Sequence, residues 1–165
     1  MNIDPLTGLS SKPEWPAIVA RTNAGAPVAL LDLDHMKHFN MHNGSVRGDE
    51  LLAKLGAFLR ATVPQPRDIV RIGGQSFVVV WPAAAGADER ARESCAAIAT
   101  WVRTSLAPAQ PAHCGDASCI GPAPLTVSIA LTHVREGEDA TALFARLDEA
   151  LLGAKRAGRD RIVIA

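Results

Sequence analysis

The sequence predicts an α/β fold, a mixed central β-sheet flanked by helices, with one β-hairpin carrying a glycine-rich turn. Three observations predict it. Apolar stripes of helical period alternate with short β-branched runs in the order α-β-α-α-β-β-α-β-α-β. The run Pro27 to Asp34 (PVALLDLD) is continuously apolar until it ends in acid, the pattern of a strand covered on both faces. Gly73-Gly74 separates two β-rich runs so closely that only a hairpin joins them.

Each element follows from local chemistry. Pro13 to Asn23 reads as a short first helix, with proline early, where a helix tolerates it. After the Pro27–Asp34 strand comes a helical stretch in which Leu51, Leu52, Leu55, Phe58 and Leu59 form one apolar stripe. Asp68 to Ile72 and Phe77 to Trp81 are the two hairpin strands, with Gly73 to Ser76 between them. Asp88 to Leu106 reads as a helix with Ile98, Trp101, Val102 and Leu106 on one face. Ala107 to Pro124, with four prolines and two glycines, reads as a loop. Leu125 to Leu131 is a strand, Asp139 to Ala157 a helix with Leu143, Leu147 and Leu151 stacked, and Arg161 to Ala165 a closing strand.

Composition narrows the function. The chain has 165 residues, the length of one domain, with no internal repeat or linker, so a single domain over residues 1–165 is expected. Lys+Arg and Asp+Glu each number 17, so no bulk positive charge drives nucleic-acid binding. An apolar content of 48% excludes a charge-swollen disordered chain. Three Trp, four Phe and no Tyr are too few for a single-strand stacking platform. No apolar run approaches the roughly 18 residues that mark a membrane span. The first fifteen residues lack the apolar core of a signal peptide. The expected setting is therefore the cytoplasm, with neither nucleic acid nor membrane as partner. Cys95 reads as a small core residue; Cys114 and Cys119 lack a second ligand pair for zinc and read as free loop thiols.

Several residues carry possible chemistry. Asp32 and Asp34 lie two apart at a strand end and share a side if the strand persists. That pairing suits Mg²⁺, which takes one or two carboxylates plus phosphate oxygens. It equally suits a strand-to-helix junction in which Asp34 caps the next helix. Lys37 offers a point charge for phosphate, and Asn40 with Asp49 offers the donors and acceptors that match a guanine edge. Gly73 and Gly74 leave backbone open to a ligand, or form a plain type I′ turn. Lys155 and Arg159, at i and i+4, complement a helix C-terminus or grip a triphosphate.

In combination these residues resemble the GGDEF domain of the diguanylate cyclase family, over nearly the whole chain. Asp4-Pro5-Leu6-Thr7-Gly8-Leu9 is similar to the family's opening D-x-L-T-G-L. Asp32-Leu33-Asp34-His35-Met36-Lys37, then Asn40, then Gly48-Asp49, follow its D-x-D-x-F-K-x-x-N…G-D spacing. Arg71-Ile72-Gly73-Gly74-Gln75-Ser76-Phe77 resembles R-Y-G-G-D/E-E-F, and Leu125-Thr126-Val127-Ser128-Ile129 resembles the V-T-x-S-I strand. Ala150-Leu151-Leu152-Gly153-Ala154-Lys155, then Gly158-Arg159, resemble A-L-Y-x-A-K-x-x-G-R-N. The resemblance implies a ferredoxin-like, cyclase-type sheet whose hairpin carries the signature turn. It also implies a reaction in which two facing domains join two GTP into cyclic di-GMP. Asp32 and the Leu33 carbonyl would hold Mg²⁺. Lys37, Lys155 and Arg159 would hold phosphates, Asn40 and Asp49 would read guanine, and Gly73 and Gly74 would let the turn approach the nucleotide.

Departures from the pattern shape the functional expectation. The family's metal-binding acid is Gln75 here, and its catalytic acid is Ser76. An uncharged carboxamide holds a hard cation weakly, so any Mg²⁺ site is expected to be impaired. A hydroxyl is a poor base near neutral pH, where a positioned base is worth roughly 10²–10⁴-fold. Gly44-Ser45 replaces the G-H pair, Leu152 the tyrosine and Asp160 the terminal asparagine. Gln65 stands where the R-x-x-D product site needs arginine, with Asp68 as the acid, so product inhibition there is not expected. The expectation is a degenerate GGDEF domain, impaired in catalysis, binding GTP or another guanine nucleotide in a regulatory role. Its partner would be a second copy or a heterologous signalling protein. The alternatives are a low-activity cyclase and a scaffold or dimerisation domain that binds no nucleotide.

Overall fold

The computed structural model describes all residues except Met1, Gln65, Arg67 and residues 106–124. The expectations for Leu106, Cys114, Cys119, the Ala107–Pro124 stretch and Gln65 lie outside the described residues. A short strand β1 (Ser10–Ser11) leads through a 3₁₀ turn (Lys12–Glu14) into helix α1 (Trp15–Ala20). Strand β2 (Pro27–Asp34) is followed by helices α2 (Met36–Asn43) and α3 (Ser45–Thr62). Strands β3 (Asp68–Arg71) and β4 (Ser76–Val80) form the hairpin, and α4 (Ala87–Ser105) comes next. The chain closes with β5 (Thr126–His133), α5 (Ala140–Arg156) and β6 (Ile162–Ile164).

The sheet is mixed, in the order β1-β3-β4-β2-β5-β6. β2 runs antiparallel to both β4 and β5; β1–β3 and β5–β6 are parallel. Every residue of β2 is buried because the strand is central and helices cover both faces. On one face Leu31, Leu33, Phe77 and Ile129 meet Leu55 and Leu59 of α3 and Ile98 of α4. On the other, Val28, Leu30 and Val78 meet Ile18 of α1 and Leu143, Leu147 and Leu151 of α5. Asp32 and Asp34 take the same alternation as Val28 and Leu30, so both carboxylates point toward the α5 face.

The structure corrects two expectations and adds one strand. The first helix is shorter than Pro13–Asn23: Lys12–Glu14 forms a 3₁₀ turn, and the α-helix ends at Ala20. β1 was not expected, because two residues carry no periodicity; it is defined by parallel pairing with β3. The hairpin is not a type I′ turn, since neither Gly73 nor Gly74 takes the left-handed φ which that turn demands. Cys95 is fully buried, as expected of a core residue, and burial pushes its thiol pKa up to about 12.

Candidate nucleotide site

The end of β2 sets the site. Register places Asp32 opposite Ser76 of β4 on one side and Ser128 of β5 on the other. Its carboxylate, only 6% exposed, accepts three donors. Lys155 Nζ stands 2.6 Å from Oδ1, and Ser76 Oγ donates to Oδ2 at 2.5 Å. Gln75 Nε2 donates to Oδ1 at 3.2 Å and also to the Leu33 carbonyl at 3.3 Å. The Gln75 amide orientation follows from its neighbours. Turned over, its oxygen would face a carboxylate and a carbonyl, both acceptors.

Asp34 plays neither of the two parts considered for it. Its carboxylate is engaged by Thr126 Oγ1 and Ser128 Oγ, each at 2.8 Å, and by the Asp160 amide at 3.1 Å. It therefore pins β5 and the segment after α5 to β2. The helix that follows is entered through His35, with no side-chain cap. Thr126 and Ser128 appear in the sequence only as part of the resemblance to the V-T-x-S-I strand, and their role as donors to Asp34 is what sequence reasoning missed. Their signal is polar residues spaced two apart in a buried strand, facing an acid two apart from another.

The glycine turn is held from behind. Arg71 Nη2 donates to the Gly74 carbonyl at 2.6 Å, while Nη1 pairs with Asp4 at 3.0 Å. Asp4 also accepts the Thr7 amide and hydroxyl. The Thr7 carbonyl in turn takes Arg60 of α3 at 2.7 Å. The opening Asp4–Leu9 loop thus fixes the hairpin tip. Burial alone would raise the Asp4 pKa, but the Thr7 hydrogen bonds and the Arg71 guanidinium outweigh it and hold the carboxyl below its ordinary value. With a folded-state pKa depressed, the stabilisation is present above the unfolded value of about 4 and is lost as pH falls through the folded value. Urea midpoints measured against pH should therefore drop on acidification below about pH 4, and Asp4→Asn should flatten part of that slope.

A second cluster lies on α2 and α3. A Cβ on Gly48 would fall 2.0 Å from Asn40 Oδ1, so only glycine lets α3 pass this close to the asparagine. Asn40 Oδ1 is buried with no hydrogen-bond partner. Asp49, next to Gly48, is exposed. Lys37 is exposed at the start of α2. Arg159 is not one turn above Lys155: α5 stops at Arg156, and Arg159 lies on the turn beyond with φ 62°. A Cβ on Gly74 would meet nothing within 4 Å, so no contact in this chain requires glycine there. An apolar hollow of about 430 Å³, lined by Trp15, Ile72 and Phe144, flanks the strand entering the turn but includes none of these polar groups.

The donor set bears on the metal that the resemblance implies. Among the described residues no three His, Cys, Asp or Glu side chains converge as for a metal. The two oxygens concerned, Asp32 Oδ1 and Leu33 O, both accept from Gln75 Nε2, and Oδ1 carries the Lys155 ammonium as well. So arranged, these residues do not fit a divalent cation, which needs oxygen lone pairs directed at it rather than engaged by N–H donors.

Comparison with known proteins agrees with this architecture. The profile of the diguanylate cyclase, GGDEF domain, matches residues 1–161. Diguanylate cyclase DgcP of Pseudomonas aeruginosa is 34% identical over 169 residues, taking in 98% of this chain and 24% of that protein. Diguanylate cyclase DgcM of Escherichia coli is 32% identical over 136 residues, 82% of this chain and 30% of that protein. The chain therefore spans about a quarter to a third of the length of these relatives. The solved structure of diguanylate cyclase SiaD with its activator SiaC, from Pseudomonas aeruginosa, superposes with a TM-score of 0.79 at 27% identity, over 99% of this chain and 61% of that one. The GGDEF domain of DgcB from Caulobacter crescentus, in complex with c-di-GMP, gives 0.77 at 24% identity over 98% and 94% of the two chains, a likeness of fold. With the mixed sheet, the hairpin turn and the profile all in accord, the chain belongs to the diguanylate cyclase, GGDEF domain family.

Proposed function

We propose that this domain binds a guanine nucleotide without joining two of them into cyclic di-GMP, and that it serves as a regulatory module in cyclic di-GMP signalling. One observation carries the reading: both side chains at the signature acid positions, Gln75 and Ser76, are donors to Asp32 rather than acids. Attack by a ribose 3′-hydroxyl needs a proton acceptor beside it. The Ser76 hydroxyl directs its own proton at Asp32 and offers no base. Nucleotide binding draws on other residues. Asn40 Oδ1 is an unpartnered buried acceptor, which a guanine N–H would satisfy. The Asp49 carboxylate adds two acceptors for the same edge. Lys37 and Arg159 are the cations available to phosphate, and the open space at Gly74 admits a ligand against the turn. A second copy of the chain, or a signalling protein in the cytoplasm, would read out the bound state.

Calorimetry with GTP tests this. Wild-type binding is expected in the micromolar range, and Asn40→Ala should weaken it by about tenfold, the worth of one hydrogen bond to a buried partner. Gly48→Ala should do the same from the other side, because its methyl displaces Asn40 Oδ1. Absence of wild-type binding would defeat the proposal and favour a scaffold. The names of DgcP and DgcM favour residual cyclase activity instead; appearance of cyclic di-GMP from GTP, lost in Asp32→Asn, would establish that reading.

A further inference from the structure

We infer that Gln75 and Lys155 occupy the cation position at the end of β2, so that the site excludes divalent metal and takes its guanine nucleotide metal-free. The inference rests on the proposed nucleotide reading for its ligand, but its core concerns this chain alone.

The geometry carries it. A cation held by Asp32 and the Leu33 carbonyl would have to sit where it faces both oxygens. Gln75 Nε2 does so, at 3.2 Å and 3.3 Å. It delivers two N–H groups, one to each oxygen, so it uses the directions a cation would use. Charge is the second requirement. The Lys155 ammonium, 2.6 Å from Oδ1, supplies the positive charge that the carboxamide lacks. The pair is largely sheltered, with the Asp32 side chain 8% and the Lys155 side chain 27% exposed. Ser76 Oγ takes the other carboxylate oxygen. Three of the roughly four acceptor directions of the carboxylate are therefore taken, two of them on Oδ1, the oxygen that Gln75 shares with the Leu33 carbonyl. An incoming cation must break three contacts and face an ammonium at close range, with a single carboxylate in return.

A consequence for the ligand follows. Lys155 is committed to Asp32, so phosphate must be gripped by Lys37 and Arg159 without a bridging metal. Affinity for the nucleotide should then be indifferent to Mg²⁺.

The test begins without nucleotide. Mn²⁺ binding to the protein is followed by the electron paramagnetic resonance of free Mn²⁺, for wild type, Asp32→Asn and Gln75→Glu. Wild type and Asp32→Asn should be indistinguishable up to millimolar Mn²⁺. Gln75→Glu, which turns two donors into acceptors and adds a charge, should bind roughly tenfold or more tightly. Gln75→Asp is the second variant if the first fails to fold by circular dichroism. Wild-type binding that disappears in Asp32→Asn would overturn the inference, as would folded acidic variants that gain no affinity. GTP titrated in EDTA and in Mg²⁺ should give affinities equal within about twofold. No GTP binding in either buffer would defeat the nucleotide reading, while the Mn²⁺ measurement still decides the cation position.

Discussion

Asp34→Ala is expected to lower folding stability by about 3 kcal/mol, read as a fall in the urea midpoint. Asp34 is 1% exposed and receives three hydrogen bonds. Removing it leaves two hydroxyls and one amide without their acceptor, each costing roughly 1–3 kcal/mol when buried. The Thr126 and Ser128 hydroxyls can rotate toward other acceptors, so their share is at the low end. The Asp160 amide cannot rotate. It lies in a backbone run of positive φ, with Gly158 at 112°, Arg159 at 62° and Asp160 itself at 45°. That conformation strains the two non-glycine residues and persists because Asp34, together with an ion pair from Arg103 to the Asp160 carboxylate at 2.8 Å, holds it. The segment carries Arg159, so the stability loss should come with weaker nucleotide binding. If Asp34 were instead half of a metal pair, the substitution would leave the midpoint unchanged or raise it, by removing one of two crowded acids.

This contrast shows where the sequence was legible. The central strand was readable because burial on both faces leaves an unbroken apolar run from Val28 to Leu31. The α5 face was readable because Leu143, Leu147 and Leu151 repeat at one helical turn. Asp32 was identifiable from its spacing to Asp34, Lys155 from its place near a helix end, and Gln75 and Ser76 only from the resemblance to the family's signature turn; the structure brings the four to one point. The role of Asp34 was not legible, because its partners are set by the β2–β5 register, which no local pattern encodes. Nor was the direction of the Gln75 amide, which depends on the Leu33 carbonyl as much as on Asp32. The ties from Asp4 to Arg71 and from Arg60 to Thr7 were likewise invisible, since they join loop, hairpin and helix. They explain why an opening motif remote from the turn matters to it: it fixes the turn's carbonyl through one guanidinium.

The double variant Gln75→Glu with Ser76→Glu should raise cyclic di-GMP synthesis from GTP by about 10²-fold or more over wild type, assayed with Mg²⁺ or Mn²⁺. Two effects combine. At position 76 a carboxylate replaces a hydroxyl that now points its proton at Asp32, and a positioned base is worth roughly 10²–10⁴-fold. At position 75 the two N–H groups that cover Asp32 and the Leu33 carbonyl are replaced by acceptors. Three carboxylates then face one ammonium from Lys155, an excess of negative charge in a sheltered place. In EDTA the variant should therefore melt below wild type, and Mn²⁺ should restore it, whereas wild type should not respond. The melting measurement separates two reasons for failure. A variant that Mn²⁺ rescues but that makes no product has regained its acids without its substrate geometry, and the fault then lies at Asn40, Asp49, Lys37 or Arg159. A variant that neither responds to Mn²⁺ nor turns over would show that the residues at positions 75 and 76 do not decide whether this domain makes cyclic di-GMP.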